Sequence, residues 1–428
     1  MTRWRIEGTL TVREGSALHI GSGETSKDRG VYQNLPGGLQ GDAVEVNTVI
    51  TDHLWRPYVP GSSLKGALRS RALSHGADPG SVDLAFGTAS HRGATAFLDS
   101  FLADDAGLPA AANAPPYWDR SRMTGVATGV TIDRRTRAAE ESKLFHSEFV
   151  PPGVTFGVAL EVDGAEAEPA VGVLLSAFDG FGDAADPLTL GASTGNGWGR
   201  LEWKRTGVFV RDQQEVLAWL ERLQKGPHGA PAWRRVTVAP ALAHPAKAAV
   251  TPVLRCEIQL AFEGPFLVND PSRTGKKSDP SPKQPAHVPL RDDTGKASLP
   301  ASSFRGAVRS QAERILRTVA GPGAACPKPS GRRCVSRRTP TGNVEGLCPA
   351  CILFGASGWR SPLNISPFRQ AEAAQEATQD FLAIDNFTGG AARHLKFDAQ
   401  ASQGPVLQGV VELDLSRLAV GGGASWTL

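Results

Sequence analysis

The sequence lacks a long apolar run, a secretory leader pattern and a strong net charge. Its 428 residues include no apolar stretch of about 18 residues, the length that a membrane-spanning helix needs. Residues 1–15 alternate polar and apolar and lack the apolar segment of a signal peptide, so we expect a cytoplasmic protein with no membrane partner. The formal net charge is only +3, so any basic surface for a nucleic acid must be local.

The length and the turn-forming residues predict more than one domain. A chain of 428 residues is long enough for two or three domains, and its 48 glycines and 31 prolines indicate many loops. Residues 226–252 are dense in proline, alanine and glycine, which is typical of a linker. We therefore predict a first domain at residues 1–225, a linker at 226–252 and a second domain at 253–428.

One short stretch occurs twice, as YVPGSSLKGALRS at residues 58–70 and SLPASSFRGAVRS at residues 298–310. In each copy, a proline and paired serines precede apolar and basic residues at helical spacing, which predicts a strand or turn that leads into a helix. We expect the serine hydroxyls to cap the first turn, and its free amides and basic side chains to attract a phosphate. The alternative is a capped amphipathic helix with a solvated basic face.

Further matches follow in the same order in both halves of the chain. Residues 84–87 (LAFG) correspond to residues 352–355 (ILFG), and residues 131–139 (TIDRRTRAA) correspond to residues 383–391 (AIDNFTGGA). Ordered correspondence of this kind predicts two copies of one structural unit.

These segments, together with LHIGSG at residues 18–23 and GASTGNGWGRLEW at residues 191–203, resemble the RAMP superfamily. More narrowly, they resemble the guide-RNA-binding backbone subunits of type III CRISPR effector complexes. The first half matches over nearly its whole length, and the second half matches from about Cys256. There, Ala301 replaces the motif glycine and no counterpart of residues 191–203 follows. We expect either that another polypeptide completes the second unit or that this unit has lost the loop.

The resemblance implies an α+β fold with two tandem ferredoxin-like (RRM-like) RAMP domains, both with loop insertions. Sequence periodicity agrees with such a core. Apolar and polar residues alternate at residues 4–12 and 254–262, which predicts the opening strand of each unit. The pattern of residues 154–162 predicts a further strand, and that of residues 169–178 predicts a helix. Residues 212–225 form an amphipathic helix before the linker.

As a backbone subunit, the chain is expected to bind guide (CRISPR) RNA, to meet complementary target RNA and to contact other subunits of the effector complex. Exposed strands of a ferredoxin-like sheet suit single-stranded RNA. Contacts to the phosphate backbone carry no base information, so the guide sequence is not encoded here. The residues expected to contact RNA are Ser62, Ser63, Lys65, Arg69, Arg134, Arg135, Ser302, Ser303, Arg305 and Arg309.

Four of the five cysteines cluster in an insertion at about residues 321–351, namely Cys326, Cys334, Cys348 and Cys351. The last two form a CxxC, and four thiolates on a loop suit tetrahedral Zn²⁺ with a structural role. The alternatives are a redox-active pair or free thiols, whereas a disulfide does not suit the cytosol. The fifth cysteine, Cys256, is interpreted as a buried strand residue.

A site of cleavage is expected from the resemblance, in which RNA-cleaving backbone subunits carry an aspartate in the loop before the serine motif. The corresponding positions fall near Val46 and Ala286, which are not acidic, so the candidates are the neighbouring carboxylates Asp42, Asp28 and Asp279. Each can hold a divalent metal such as Mg²⁺ or Mn²⁺, or take the proton of a 2′-hydroxyl that attacks the adjacent phosphate. Solvated loop carboxylates are the alternative.

Two functions therefore remain open at the level of sequence. The first is a backbone subunit that binds guide RNA and cleaves target RNA, and the alternative is a scaffold that binds guide RNA without chemistry. A third and weaker reading is a guide-processing ribonuclease that cleaves repeats, since such enzymes share the superfamily fold. It would need a set of histidine, tyrosine and lysine side chains, and three scattered tyrosines argue against one.

Overall fold

The computed structural model describes most of both predicted units. The described residues are 2–26, 45–103, 114–133, 136–164, 167–183, 186–223, 233–237, 253–273, 285–327, 334–338, 344–385 and 387–421. The first unit contains the strands β1 (Arg3–Val12), β2 (Gly21–Thr25), β3 (Val46–Val49), β4 (Thr95–Phe97), β5 (Gly125–Ile132), β6 (Ala139–Phe149), β7 (Thr155–Asp163), β8 (Leu201–Arg211) and β9 (Arg234–Val236). Its helices are α1 (Gly61–Ser74), α2 (Pro79–Phe86), α3 (Ala167–Asp179) and α4 (Gln213–Leu223).

The main sheet of the first unit has the order β4-β7-β1-β8-β9, and all of its pairs are antiparallel. Helix α1 lies in sequence between β1 and β4, and α3 lies between β7 and β8, so the core elements follow a βαββαβ pattern. This order and connectivity are consistent with a ferredoxin-like fold. The strand β9 falls within the stretch interpreted as a linker and pairs with β8.

The alternation predicted for residues 4–12 is confirmed in β1. Ile6, Gly8, Leu10 and Val12 are buried, whereas the residues that alternate with them are partly exposed. The buried side chains join one large apolar core with α1 and α3, which contribute residues such as Leu64 and Phe178. The first unit therefore has the apolar core that a stable domain of this size needs.

A second sheet of the first unit has the order β2-β3-β6-β5. Strands β5 and β6 form an antiparallel hairpin, and β3 pairs with β6 in parallel. Strand β3 begins at Val46 and leads towards α1, so this sheet connects the loop before the first serine motif to the hairpin.

The second unit repeats part of this arrangement. Its strands are β10 (Val253–Ala261), β11 (Pro265–Phe266), β12 (Ser298–Leu299), β13 (Arg337–Arg338), β14 (Val344–Glu345), β15 (Leu363–Ile365), β16 (Phe368–Gln370), β17 (Glu376–Ile384), β18 (Ala391–Gln403) and β19 (Val406–Asp414). Its helices are α5 (Ala301–Ala320), α6 (Pro349–Phe354) and α7 (Leu415–Gly421). The main sheet runs β10-β19-β16-β12, with β15 also paired to β19.

The opening strand β10 is present as predicted, but it lies at the edge of its sheet. Cys256 in this strand is exposed, so the prediction that it is buried was wrong. In the first unit, α3 packs against β1 and β7, and β8 covers the other edge of β1. Helix α7 follows β19 as α3 follows β7, and it contacts β10, but it is much shorter than α3. Within the described residues, no strand corresponds to β8, so the other edge of β10 is not covered there.

Both serine-motif helices begin one residue before the paired serines. The residues at the N-cap positions are Pro60 and Pro300, and neither proline provides a side-chain cap. The prediction that the serines cap these helices was therefore wrong. In the first unit, the carboxylate of Asp99 instead accepts a hydrogen bond from the backbone N–H of Gly61 at 2.8 Å.

Arginine side chains join the two units. Arg200 of the first unit forms an ion pair with the buried carboxylate of Glu412 in the second. In the other direction, Arg273 donates to the carbonyl oxygen of Ala114 at 2.7 Å, and Arg360 donates to the hydroxyl of Thr189 at 3.0 Å. The joint is therefore held by polar contacts contributed from both sides.

Candidate metal centre and RNA-binding motifs

The four clustered cysteines come together in the core of the second unit. Cys326 follows α5, Cys334 precedes β13, and Cys348 and Cys351 lie at the start of α6. All four side chains are buried, and their Sγ atoms lie within 4.8 Å of one another. The sequence prediction that these cysteines form one cluster is confirmed.

The arrangement fits a tetrahedral metal ion. Zn²⁺ with bonds of about 2.3 Å to sulfur places tetrahedral ligands about 3.8 Å apart, which this cluster can provide with small adjustments. The backbone N–H groups of Cys334 and Cys348 also donate to the sulfur atoms of Cys326 at 3.2 Å and Cys334 at 3.3 Å. Such hydrogen bonds stabilise thiolates, so the four cysteines can bind a metal such as zinc.

Hydrogen bonding within the CxxC separates the acidities of its thiols. The hydrogen bond with Cys351 lowers the pKa of Cys348 to about 4, because it stabilises the thiolate of Cys348. The same hydrogen bond, and then burial, raise the pKa of Cys351. Burial and the hydrogen bond with Cys326 raise the pKa of Cys334 to about 11. Cys348 is therefore the thiol of this cluster that loses its proton most readily, and a cation bound here would displace protons from its neighbours.

The second basic residue of each serine motif makes the same contact in both units. Arg69 on α1 donates to the carbonyl oxygen of Gly87, and Arg309 on α5 donates to the carbonyl oxygen of Gly355 at 3.1 Å. Gly87 and Gly355 follow α2 and α6 with φ angles of 79° and 90°, a region that favours glycine. The predicted correspondence of residues 84–87 with residues 352–355 therefore holds at the level of single hydrogen bonds.

Acidic side chains complete the environment of these two arginines. Arg69 pairs with Asp83 at 3.0 Å, and Arg309 pairs with the buried carboxylate of Glu313 at 2.8 Å. Both guanidinium groups thus hold one helix of the motif against the next. Because these contacts lie inside each unit, the arginines stabilise the fold. The predicted contribution of Arg69 and Arg309 to RNA binding stays a prediction.

The first basic residue of the motif differs between the units. Arg305 donates to the carbonyl oxygens of Gly195 at 2.9 Å, Leu363 at 3.0 Å and Phe354 at 2.9 Å. Burial, and then the positive charge of Arg309, lower the pKa of Arg305 to about 10. Lys65 instead places its Nζ 6.0 Å from the centre of the Phe97 ring. No hydrogen bond or ion pair joins Lys65 to another residue in the described part of the chain, so its ammonium group is available to a phosphate.

The paired serines are accessible in both copies. Ser62, Ser302 and Ser303 are exposed, and Ser63 is half-buried. They lie in the first turn of their helices, where backbone amides and the helix dipole favour an anion.

The other matched segments form the turns of two exposed hairpins, β5–β6 and β17–β18. In these turns, the carboxylate of Asp133 accepts from the backbone N–H of Thr136 at 2.7 Å, and that of Asp385 accepts from the N–H of Thr388 at 2.9 Å. Sequence reasoning found the repeat but missed the apolar side chains that these hairpins expose. They are Val130, Ile132, Leu144, Phe145, Phe381, Leu382, Ile384 and Phe397.

Aromatic stacking marks the second hairpin. The rings of Phe381 and Phe397 stack with centroids 5.1 Å apart and an interplanar angle of 13°. His287 meets Phe397 edge-on at 5.4 Å, and its neighbour Ala286 donates its N–H to Asp398 at 2.7 Å. Exposed aromatic rings of this kind can stack on unpaired bases.

Sequence reasoning also missed a buried ion pair that fixes β3. Glu148 is fully buried, contacts Arg122 at 2.7 Å and accepts hydrogen bonds from the N–H of Val49 and the hydroxyl of Thr124. Its position in an alternating strand gave no signal, because the partners are distant in sequence. The pair anchors the strand that leads into the first serine motif.

Five predicted site residues lie outside the described part of the chain. They are Asp28, Asp42, Arg134, Arg135 and Asp279. Their roles in RNA binding and cleavage stay predictions.

Comparison with known protein families gave one match. A sequence profile described as the RAMP superfamily matches residues 14–202 and 259–402, that is, both units. A search of curated proteins found no match to the chain. Among the described residues, no helix is both long and apolar enough to cross a membrane.

Proposed function

Because the chain belongs to the RAMP superfamily, we propose that it is a guide-RNA-binding backbone subunit of a type III CRISPR ribonucleoprotein, with two ferredoxin-like units fused in one polypeptide. The observation that carries the proposal is the repetition of the serine motif and hairpin turn in both units, with the same hydrogen bonds around Gly87 and Gly355. A repeated binding surface suits a ligand that is itself a repeating chain of phosphates.

The guide RNA follows the two serine motifs. Exposed serine hydroxyls, first-turn amides and the ammonium group of Lys65 bind its phosphates, and the aromatic side chains of the hairpins contact its bases. Arg134 and Arg135, which come between β5 and β6 in sequence, add charge for the same backbone. The other partners are complementary target RNA, which pairs with the guide, and further subunits of the effector complex.

Target RNA is cut beside the loops that precede the serine motifs. Asp42 or Asp28 in the first unit and Asp279 in the second take the proton from a target 2′-hydroxyl, whose oxygen then attacks the adjacent phosphate. The 5′ oxygen of the next nucleotide leaves with a proton, which gives a 2′,3′-cyclic phosphate and a 5′-hydroxyl end. A divalent ion such as Mg²⁺ or Mn²⁺ would neutralise charge on the phosphate.

The second candidate is a scaffold that binds guide RNA without cutting its target. It is favoured by Val46 and Ala286, the apolar residues near the positions where the family places its aspartate. The two candidates share every RNA contact and differ only in the loop carboxylates.

The test is cleavage by the reconstituted complex. With Mg²⁺ or Mn²⁺, Asp42→Ala or Asp28→Ala should remove one cut, and Asp279→Ala should remove another cut displaced by about one unit, while guide binding stays intact. Glu221→Ala, a change at an exposed carboxylate on α4, is the matched control and should keep all cuts. An unchanged ladder in the triple aspartate variant would establish the scaffold.

The second unit also binds one structural Zn²⁺ through Cys326, Cys334, Cys348 and Cys351. This proposal rests on four buried sulfur atoms within 4.8 Å of one another. Metal analysis of reduced, freshly purified protein should give one zinc ion per chain. A metal content near zero would refute it.

A further inference from the structure

Three arginines on α5 point into the protein at the joint between the units. Arg309 and Arg317 contact the cysteine cluster, and Arg305 contacts the glycine-rich loop of the first unit. One helix therefore touches both the metal centre and the neighbouring unit.

The contact with the metal centre is made by a charged group. The guanidinium of Arg309 donates to Sγ of Cys351 at 3.4 Å and to the carbonyl oxygen of Gly355 at 3.1 Å. Arg317 donates to the carbonyl oxygen of Cys326 at 2.9 Å. Four thiolates on a divalent cation carry a net charge of about −2, and a buried charge of this kind needs a counter-charge nearby. The guanidinium of Arg309, which donates to the sulfur of Cys351, supplies this counter-charge.

The contact with the first unit lies one helical turn away. Arg305 bridges the carbonyl oxygen of Phe354, the last residue of α6, and that of Gly195 in the glycine-rich loop. A Cβ atom on Gly195 would lie only 3.2 Å from Nη1 of Arg305, so the loop packs closely on this side chain. Helix α6, which contains Cys351 and has Cys348 at its N-cap position, therefore positions the group that holds the loop.

We propose that the metal centre sets the joint between the two units, with Arg309 and Arg305 as positioning residues. The inference rests on the proposed zinc site. Bound metal fixes α6, Arg309 holds α6 to α5 through a ligand sulfur and Gly355, and Arg305 transmits that position to the glycine-rich loop through Gly195. Loss of the metal should free a loop of the first unit that contains no metal ligand.

The first test is hydrogen exchange on the full chain under reducing conditions, with zinc bound and after chelation. We expect amides in residues 191–200 to exchange at least about tenfold faster without metal, because their packing partner is released, while β1 keeps its protection. Equal exchange of this loop in both states, in protein that metal analysis shows to hold one zinc, would overturn the inference and leave the zinc site standing. Absence of zinc from the purified protein would overturn both.

The second test compares matched arginines. Arg309→Lys should weaken zinc binding about 10-fold to 100-fold in competition with a chromophoric chelator, because a hydrogen bond to a ligand sulfur is lost. It should also shift the sulfur-to-metal absorption of the Co²⁺-substituted protein. Arg69→Lys removes the equivalent contact to Gly87, where no cysteine is present, and should change neither readout. Identical zinc affinity and Co²⁺ spectra in the two variants would contradict the role of Arg309.

Discussion

The serine-motif helices of the two units share a sequence pattern and a hydrogen bond, yet they depend on different surroundings. Helix α1 packs into a large apolar core to which α3 and the main sheet also contribute buried side chains. Helix α5 packs on a smaller core that includes all four clustered cysteines. The comparison teaches that one local motif can be stabilised by apolar burial in one unit and, as we propose, by metal binding in the next.

The largest expected difference between the units follows metal removal. Binding of structural zinc contributes on the order of 10 kcal/mol to the folding of small metal-binding domains, so chelation or Cys348→Ser should unfold the core of the second unit. The first unit should keep its cooperative transition, because its core contains no cysteine. Thermal unfolding with limited proteolysis would show which unit is lost. The control is Cys256→Ser, because Cys256 is exposed and lies outside the cluster. If both units unfold equally when metal is removed, the proposed difference between them is wrong.

A difference in stability of intermediate size is expected at the first residue of each serine-motif helix. This residue is Gly61 in the first unit and Ala301 in the second. A Cβ atom on Gly61 would lie 2.1 Å from the carbonyl oxygen of Phe97, so Gly61→Ala forces the backbone of β4 to move. We expect destabilisation of about 3 kcal/mol. Ala301 is buried, and Ala301→Gly should destabilise by about 1 kcal/mol through lost burial and helix propensity.

Urea unfolding of the full chain measures both changes. Gly66→Ala is a control on the same helix, because a Cβ atom there meets nothing within 4 Å. It should stabilise α1 by about 0.5–1 kcal/mol. Equal effects of Gly61→Ala and Gly66→Ala would show that the approach of β4 does not explain the glycine.

The smallest difference in stability between the units is expected at the first basic residue of the serine motif, which is Lys65 in the first unit and Arg305 in the second. Arg305→Ala leaves three carbonyl oxygens without this donor and should destabilise by about 2 kcal/mol. Lys65→Ala should change stability by less than about 0.5 kcal/mol. It should weaken guide binding for all sequences alike and reduce the salt slope by about 1. Filter binding over a salt series checks this, and a wild-type slope for Lys65→Ala would contradict the proposed phosphate contact.

The features that were predictable from sequence are those with a local pattern. The alternation of residues 4–12 gave β1, the spacing of residues 212–225 gave α4, and the CxxC with two further cysteines gave the cluster. The repeat was visible because both copies use the same residues for the same turns.

The remaining features depend on partners far apart in sequence. No pattern around Arg305 shows that it donates to Gly195, and none around Glu148 shows that Arg122 will neutralise it. Cys256 was misjudged because alternation predicts a strand but does not show which faces of it are covered. The serine caps failed because Pro60 and Pro300 take the position that the hydroxyls were expected to occupy.

The edge position of β10 has a consequence for self-association. Among the described residues, no strand pairs with the outer side of β10, and free N–H and C=O groups on such an edge can template pairing with an extended chain that meets it. Arg255 and Glu257 are both exposed on this strand, but Arg255 forms an ion pair with Glu412 on β19 at 2.7 Å, so Glu257 carries the more accessible charge. Because opposite charges on neighbouring strands stabilise a sheet, a strand that adds at this edge is favoured when it places a basic side chain beside Glu257.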